Sequence, residues 1–377
     1  METSLQKKVW LSSPHMGNSE KSYVEEAFTT NWIAPLGPNV SGFERDIEEY
    51  IGNDVHAACL SSGTGAIHLA LELLGVGLND EVLCQSFTFA ASANPITYLG
   101  GKPIFIDSES ETWNISPELL EKAIIDRIQL GKKPKAIIAV HLYGMPYKID
   151  EVHAVSKKYN IPIVEDSAEA LGSSYQGIRC GSFGDIAILS FNGNKIITTS
   201  GGGALLSKDE KIKQKAIFLS TQARDNAPHY QHSHIGYNYR MSNVLAGIGR
   251  GQMEVLPERI GARRNNFLFY KEVLSDFKEI TFLEEPYGTY SNRWLTCILT
   301  PSFKIREKIR VALEKENIES RPLWKPMHLQ PIFENETHYV NGVSEDLFNR
   351  GLCLPSGSNL DREDLVRICD IIKNLLQ

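Results

Sequence analysis

Short apolar runs separated by segments of helical periodicity fill the first two-thirds of this 377-residue chain, and that alternation indicates an α/β layer structure. The runs predicted as strands are 81–85, 103–106, 136–141, 162–165, 186–190 and 203–206, and helices are predicted near 64–74, 116–128 and 148–159. Ser116-Pro117-Glu118 is a helix start, a capping serine followed by proline at the first helical position. Strands rich in Ile, Val and Ala on both faces suit a mainly parallel central sheet with helices on both faces. After a helical segment at 242–254 the pattern changes to a long helix rich in Arg and aromatics over 257–277, then to a shorter α+β stretch. The expected organisation is a large α/β domain, residues 1–255, and a smaller C-terminal α+β domain, residues 256–377.

Charge and cysteine content narrow the class of function. A formal charge of -7, from 39 Lys and Arg against 46 Asp and Glu, argues against a nucleic-acid or membrane-surface partner, since both favour a clustered basic excess. The cysteines at 59, 84, 180, 297, 353 and 369 form no C-x-x-C pair, so they read as reduced thiols of a cytoplasmic protein with neither a disulfide frame nor a metal site. The opening Met-Glu-Thr-Ser-Leu-Gln-Lys-Lys lacks the apolar core of a signal segment, and no apolar run approaches a membrane span.

Four local patterns carry chemistry. In the run from Ser190 through Asn192-Gly193-Asn194-Lys195 to Gly201-Gly202-Gly203, one lysine sits in a glycine-punctuated turn between apolar segments. It reads either as an ordinary loop lysine or as one that bonds an aldehyde cofactor, since desolvation or neighbouring cations make a lysine amine nucleophilic. Ser62-Gly63-Thr64-Gly65, directly before apolar residues at helical spacing, is a plain cap or a helix N-terminus that holds a phosphate. Val164-Glu165-Asp166-Ser167-Ala168-Glu169 is an apolar strand ending in acids, where Asp166 either complements a helix dipole or pairs with a protonated pyridine nitrogen. An aromatic in Ser86-Phe87-Thr88-Phe89-Ala90-Ala91-Ser92, after another strand, is core or stacks on a flat ring.

In chain order these pieces resemble the DegT-type sugar aminotransferases, pyridoxal-phosphate enzymes of the aspartate-aminotransferase (type I) fold that act on nucleotide-linked keto sugars. The resemblance covers nearly the whole chain and includes Asn31-Trp32-Ile33-Ala34-Pro35, Ser62-Gly63-Thr64, His141-Leu142-Tyr143-Gly144, Glu165-Asp166-Ser167-Ala168-Glu169, the Lys195 run, Gly236-Tyr237-Asn238-Tyr239-Arg240 and Leu354-Pro355-Ser356-Gly357. Ser13-Pro14-His15-Met16-Gly17, residues 192–199, Ser220-Thr221-Gln222-Ala223-Arg224 and Arg321-Pro322-Leu323-Trp324-Lys325 look like the branch that aminates a UDP-linked 4-keto-6-deoxy-N-acetylglucosamine on the way to N-acetylbacillosamine.

The resemblance implies pyridoxal 5'-phosphate as cofactor, with Lys195 bonding its aldehyde, Asp166 on its ring nitrogen, Phe89 on its ring and Gly63, Thr64 and Ser190 on its phosphate. It implies L-glutamate as amino donor and a homodimer in which Asn238 and Arg240 reach the partner's site. Lys325 and His328 lie in a motif near the sugar nucleotide of relatives, although His328 reads equally as a packing histidine. Many members carry glutamine where this chain has Glu169, near the cofactor's phenolic oxygen, and Gly-Glu in place of Ser200-Gly201; both departures fit the UDP-sugar branch. A GDP-perosamine synthase or a dTDP-sugar aminotransferase is the alternative within the fold, and a non-catalytic regulatory protein the alternative outside enzymes. A nicotinamide dehydrogenase would need G-x-G-x-x-G after a strand, whereas Gly75-Val76-Gly77 continues as Leu78-Asn79-Asp80.

Overall fold

The structure, a computed structural model, describes residues 7–376; Met1 to Gln6, on which part of the expected absence of a signal segment rests, lie outside it. Each of the six predicted runs is a strand of one eight-stranded sheet. Its order is His56–Leu60, Gly203–Ser207, Ile186–Ser190, Ile163–Asp166, Ala136–Val140, Glu81–Gln85, Lys102–Ile106 and His338–Tyr339. From Ile186–Ser190 to His338–Tyr339 neighbouring strands are parallel, while Gly203–Ser207 runs antiparallel to both of its neighbours. The parallel strands therefore end on a common edge, where α/β proteins gather ligands.

Both faces of the sheet are buried, and the two-residue period of a strand divides its side chains between them. Ile137, Ala139 and Ile163 pack in one core with Leu120, Ile124 and Val152 of the helices Pro117–Gln129 and Ile149–Tyr159. Ile138, Val140 and Val164 pack in the other, with Ile67 and Leu71 of the helix Gly63–Leu73. The predicted cap is present: Ser116 Oγ accepts the Leu119 N–H at 3.3 Å.

Two strands of the sheet and one helical junction differ from expectation. His56–Leu60, with Ala57, Ala58 and Cys59 at its centre, has little intrinsic strand preference, and His338–Tyr339 is a two-residue edge strand held by its pairing to Phe105 and Ile106. The helices predicted on either side of Leu256 are one helix, Asn243–Val273, with Pro257 inside it. Proline removes one intrahelical hydrogen bond. Burial of Leu256 and Ile260 on either side, and packing of the same helix on Glu20–Thr29 and Pro38–Ile51, keep the chain helical through that point. Gly251 permits the approach, since a Cβ there would stand 2.6 Å from the Glu20 nitrogen. The C-terminal part carries a four-stranded antiparallel sheet in the order Thr281–Phe282, Thr296–Leu299, Gly351–Leu354 and Arg321–Pro322. All six cysteines are free and buried, and no helix among the described residues is long and apolar enough to cross a membrane.

The strand that brings Asp166 to the ligand edge is fixed by its neighbour. Glu165 Oε1 accepts from His141 Nε2 at 2.8 Å, Ser167 Oγ at 3.0 Å and Gly181 N at 2.5 Å; Oε2 accepts from Phe183 N and Gly184 N, each at 2.8 Å. The Tyr147 N–H donates to His141 Nδ1 at 3.2 Å, which leaves Nε2 as the proton-bearing nitrogen facing Glu165. Glu165, His141 and Cys180 are close enough for a shared metal, but these donors already occupy the carboxylate, so the cluster works as a hydrogen-bonded hub. Burial alone would push the Glu165 carboxyl up, yet the bonds from His141, Gly181 and Gly184 outweigh it and bring the pKa from 4.5 to about 2.

A carboxyl depressed in the folded state contributes stability that is present above its unfolded value and lost as pH falls through the folded one. Glu165→Gln should therefore lower stability at pH 7 by about 3 kcal/mol, because one amide oxygen cannot replace two carboxylate oxygens and the NH2 faces backbone donors. Urea melts from pH 7 to acid are expected to show the gap to wild type closing as pH falls from 4.5 toward about 2.

Candidate active site

A cavity of about 280 Å³ lies at the ligand edge, and seven of the sequence-predicted site residues line it: Gly63, Thr64, Phe89, Asp166, Glu169, Ser190 and Lys195. They arrive on the N-terminus of one helix, the ends of two strands and the loops that hold Phe89, Glu169 and Lys195. Ser62, in extended conformation, caps the helix Gly63–Leu73 by accepting the Gly65 N–H at 3.0 Å. The first amides of that helix, at Gly63 and Thr64, have no intrahelical partner and meet the positive end of the dipole at the cavity. Ser190 ends the adjacent strand, so close that a Cβ on Gly63 would stand 3.0 Å from the Ser190 Cβ.

Asp166 ends the next strand with 4% exposure. Its Oδ2 accepts from Ser92 Oγ at 2.6 Å and its Oδ1 from Ala168 N at 3.1 Å, and Ser92 is in turn paired with Thr88 Oγ1 at 2.8 Å. Burial raises the Asp166 carboxyl above the ordinary aspartate range, against the pull of those hydrogen bonds and of the Lys195 charge. Glu169 is likewise raised by burial, offset by Lys195 and by the Tyr143 N–H, which donates to Oε2 at 2.7 Å. Tyr143 reaches it from a left-handed conformation, φ 55°, an uncommon one for an aromatic residue, in the turn Leu142–Gly144.

The Lys195 amine stands 3.4 Å from Glu169 Oε1 and 4.2 Å from the centre of the Trp294 ring. Phe89, the residue before the helix Ala90–Tyr98, keeps 58% of its surface exposed on the cavity side, near Trp324. Trp294, Trp324 and Ser92 were missed by sequence reasoning. Trp324 and Ser92 stand inside motifs that were noticed for other reasons, whereas nothing local marks Trp294, which lies 99 residues beyond Lys195.

Four predicted residues do not line the cavity. Asn238 is exposed on a segment whose backbone pairs with Thr221. Arg240 donates to Glu44 Oε1 at 2.5 Å and to the Cys59 carbonyl at 2.9 Å within its own chain. Lys325 is exposed beside Trp324. His328 is buried, with Nδ1 2.6 Å from Ser86 Oγ; burial lowers its pKa, which favours a neutral imidazole.

The residues that converge fit pyridoxal phosphate by their chemistry. A helix N-terminus offers amides to a phosphate, a lysine amine shares the cavity with an aromatic face, and a buried carboxylate with a raised pKa is suited to a cationic ring N–H. The comparisons agree with that chemistry. The chain is 50% identical over 375 residues to EpsN of Bacillus subtilis (strain 168), covering 98% of this chain and 96% of that protein. It is 37% identical over 360 residues to a GDP-perosamine synthase of Escherichia coli O157:H7, covering 95% and 96%. Its fold matches the PLP-form of Spr1654 from Streptococcus pneumoniae with a TM-score of 0.90 at 27% identity, covering 98% of this chain and 99% of that one. The profile of the DegT/DnrJ/EryC1/StrS aminotransferase family matches residues 14–373. With a profile match of that length laid over a lysine, carboxylate and helix-terminus site, the chain belongs to this family and is a pyridoxal-phosphate-dependent sugar aminotransferase.

Proposed function

We propose that the enzyme transfers the amino group of L-glutamate to carbon four of a UDP-linked 2-acetamido-2,6-dideoxy-4-keto-hexose, giving the UDP-4-amino-4,6-dideoxy-N-acetylglucosamine of bacillosamine-type glycans. The observation that carries this reading is spatial. The segments that resemble the UDP-sugar branch are scattered in sequence yet gather at the cavity and beside it. Asn192, Asn194 and Lys195 line the cavity with Trp324, Ser12 Oγ next to the first segment donates to the Asn194 carbonyl at 2.7 Å, and the Ser220 carbonyl accepts the N–H of Tyr239, whose own carbonyl accepts the N–H of the cavity-lining Ser61 at 2.7 Å. The GDP-perosamine synthase at 37% identity supports a second reading, amination of a GDP-linked 4-keto-6-deoxy sugar. Six buried free thiols support a reducing, cytoplasmic setting.

In this reading the bound cofactor supplies an electron sink for the pair released when a C–H bond beside nitrogen is broken. The chain supplies the rest. Asp166, fixed by Ser92 and Ala168, holds the ring-nitrogen proton through its negative charge. Lys195 Nζ, which lines the cavity, would take up and return the proton moved at the substrate carbon, and its reach would decide which face receives hydrogen. Glu169 Oε1, 3.4 Å from that amine, accepts its hydrogen bond. Gly63, Thr64 and Ser190 orient the phosphate. Asn238, which is exposed, and Arg240, which Glu44 holds within its own chain, would complete the phosphate site of a partner subunit.

Lys195→Ala should abolish turnover, by more than about 10³-fold, since both nucleophile and base are lost; near-normal amino transfer would remove Lys195 from the mechanism. Asp166→Asn is expected to slow turnover on the order of 10²-fold, and a rate near wild type would mark Asp166 as a helix-terminus acid only. A panel of UDP-, GDP- and dTDP-linked 4-keto sugars, with products identified by NMR, decides between the two substrate readings: the first expects the highest kcat/KM with the UDP-N-acetyl sugar. For the shared site, inactive Lys195→Ala protein is mixed with inactive Asn238→Ala/Arg240→Ala protein under conditions of subunit exchange. One site of each mixed dimer then collects both lesions and the other none, so activity should return in about half of those sites. If exchange is demonstrated and activity stays absent, Asn238 and Arg240 serve their own chain.

A further inference from the structure

Trp294 is 1% exposed and lies just before the strand Thr296–Leu299, in the part of the chain remote in sequence from the lysine loop. A tryptophan that serves only as packing turns its face to apolar side chains and bonds its N–H wherever an acceptor is near. Here both polar features of the indole go to one place. Its face lies 4.2 Å from the Lys195 amine, and its Nε1 donates to the Asn194 carbonyl at 2.8 Å, the peptide group that leads into Lys195.

The segment that carries Trp294 is itself anchored to the other partner of the lysine. Asn292 Nδ2 donates to the Glu169 and Leu171 carbonyls, each at 2.9 Å, and Asn292 Oδ1 accepts the Trp294 N–H at 2.9 Å. One turn of chain, residues 292–294, therefore locates the amine of Lys195 and the backbone of Glu169 together. The lysine side chain keeps only 13% of its exposure, so water solvates its charge poorly; the aromatic face and the Glu169 carboxylate replace that solvation.

We infer that Trp294 is the positioning residue of Lys195: its ring face seats the charged amine and its Nε1 fixes the peptide that carries it, so the displaced lysine keeps one place in the cavity. The inference rests on the role given to Lys195 above. It assigns the smaller C-terminal part of the chain a share in setting the reactive amine.

The test replaces Trp294 in the full-length chain with tryptophans bearing one to four ring fluorines, introduced by codon suppression. Fluorine draws charge from the ring face while keeping its shape and its N–H. The cofactor-free chain is treated at fixed pH with a trace of acetic anhydride, and labelling of Lys195 is quantified by peptide mass spectrometry against the exposed Lys208 as internal standard. Because only the neutral amine reacts, labelling of Lys195 should rise stepwise with fluorine number, reaching about two- to thirtyfold, the range of a cation–π contact. Trp294→Leu should reach or exceed the top of the series, and Trp294→Phe, which keeps an aromatic face, should stay below it. A wall that merely fills space would not respond to fluorination, so a flat or falling series overturns the inference even if the leucine variant fails to fold. Labelling needs no turnover: a flat series removes Trp294 alone, whereas an active Lys195→Ala variant removes the role of the lysine.

Discussion

Glu165 and Asp166 are adjacent carboxylates at the end of one buried strand, and the alternation of a strand sends them to opposite faces of the sheet. Neither can be left without partners, since a carboxylate taken out of water is costly unless donors replace its hydration. The structure resolves the two differently. Glu165 receives donors on both oxygens from His141, Ser167 and the loop 181–184, and becomes the post to which that loop and the strand end are tied. Asp166 receives two donors and otherwise faces the cavity, and its carboxyl stays raised by burial. The saturated acid holds the unsaturated one in place.

The rest of the site is arranged around that strand end. Parallel neighbours deliver Ser190 on one side and the turn after Val140 on the other, and the turn at Tyr143 directs a backbone N–H to Glu169. The antiparallel strand Gly203–Ser207 lets the chain double back after Ser190, and Lys195 lies in that return. Trp294 and Trp324 then come in from the C-terminal part and wall the cavity. The division expected at residue 255 falls within the helix Asn243–Val273, so the chain enters its C-terminal part along a rigid element.

Elements with strong local signals were legible beforehand. The strands at 81–85 and 186–190 match residue for residue, because apolar runs buried on both faces need no partner to be recognised. His56–Leu60 and His338–Tyr339 were not legible, since their strand character comes from the neighbours they pair with. Pro257 misled for the converse reason: its local effect is to break a helix, and the packing of Leu256 and Ile260 overrides it.

The sequence by itself determined the α/β class and the chemical types present, because glycine turns, helix caps and strand-ending acids act through bonds within a few residues of one another, and the resemblance of its ordered motifs pointed to the family. Lys195, Asp166 and Gly63 could be singled out for that reason, while Ser190 entered through the resemblance alone. Only the tertiary structure decided which of these groups meet. It placed His328 against Ser86 and away from the cavity, bound Arg240 to Glu44, turned Glu165 into a hub beside Asp166, and brought Trp294 onto the lysine amine. Contacts of this kind join residues tens to hundreds of positions apart, and their geometry follows from strand order and helix packing, which no local pattern of residues encodes.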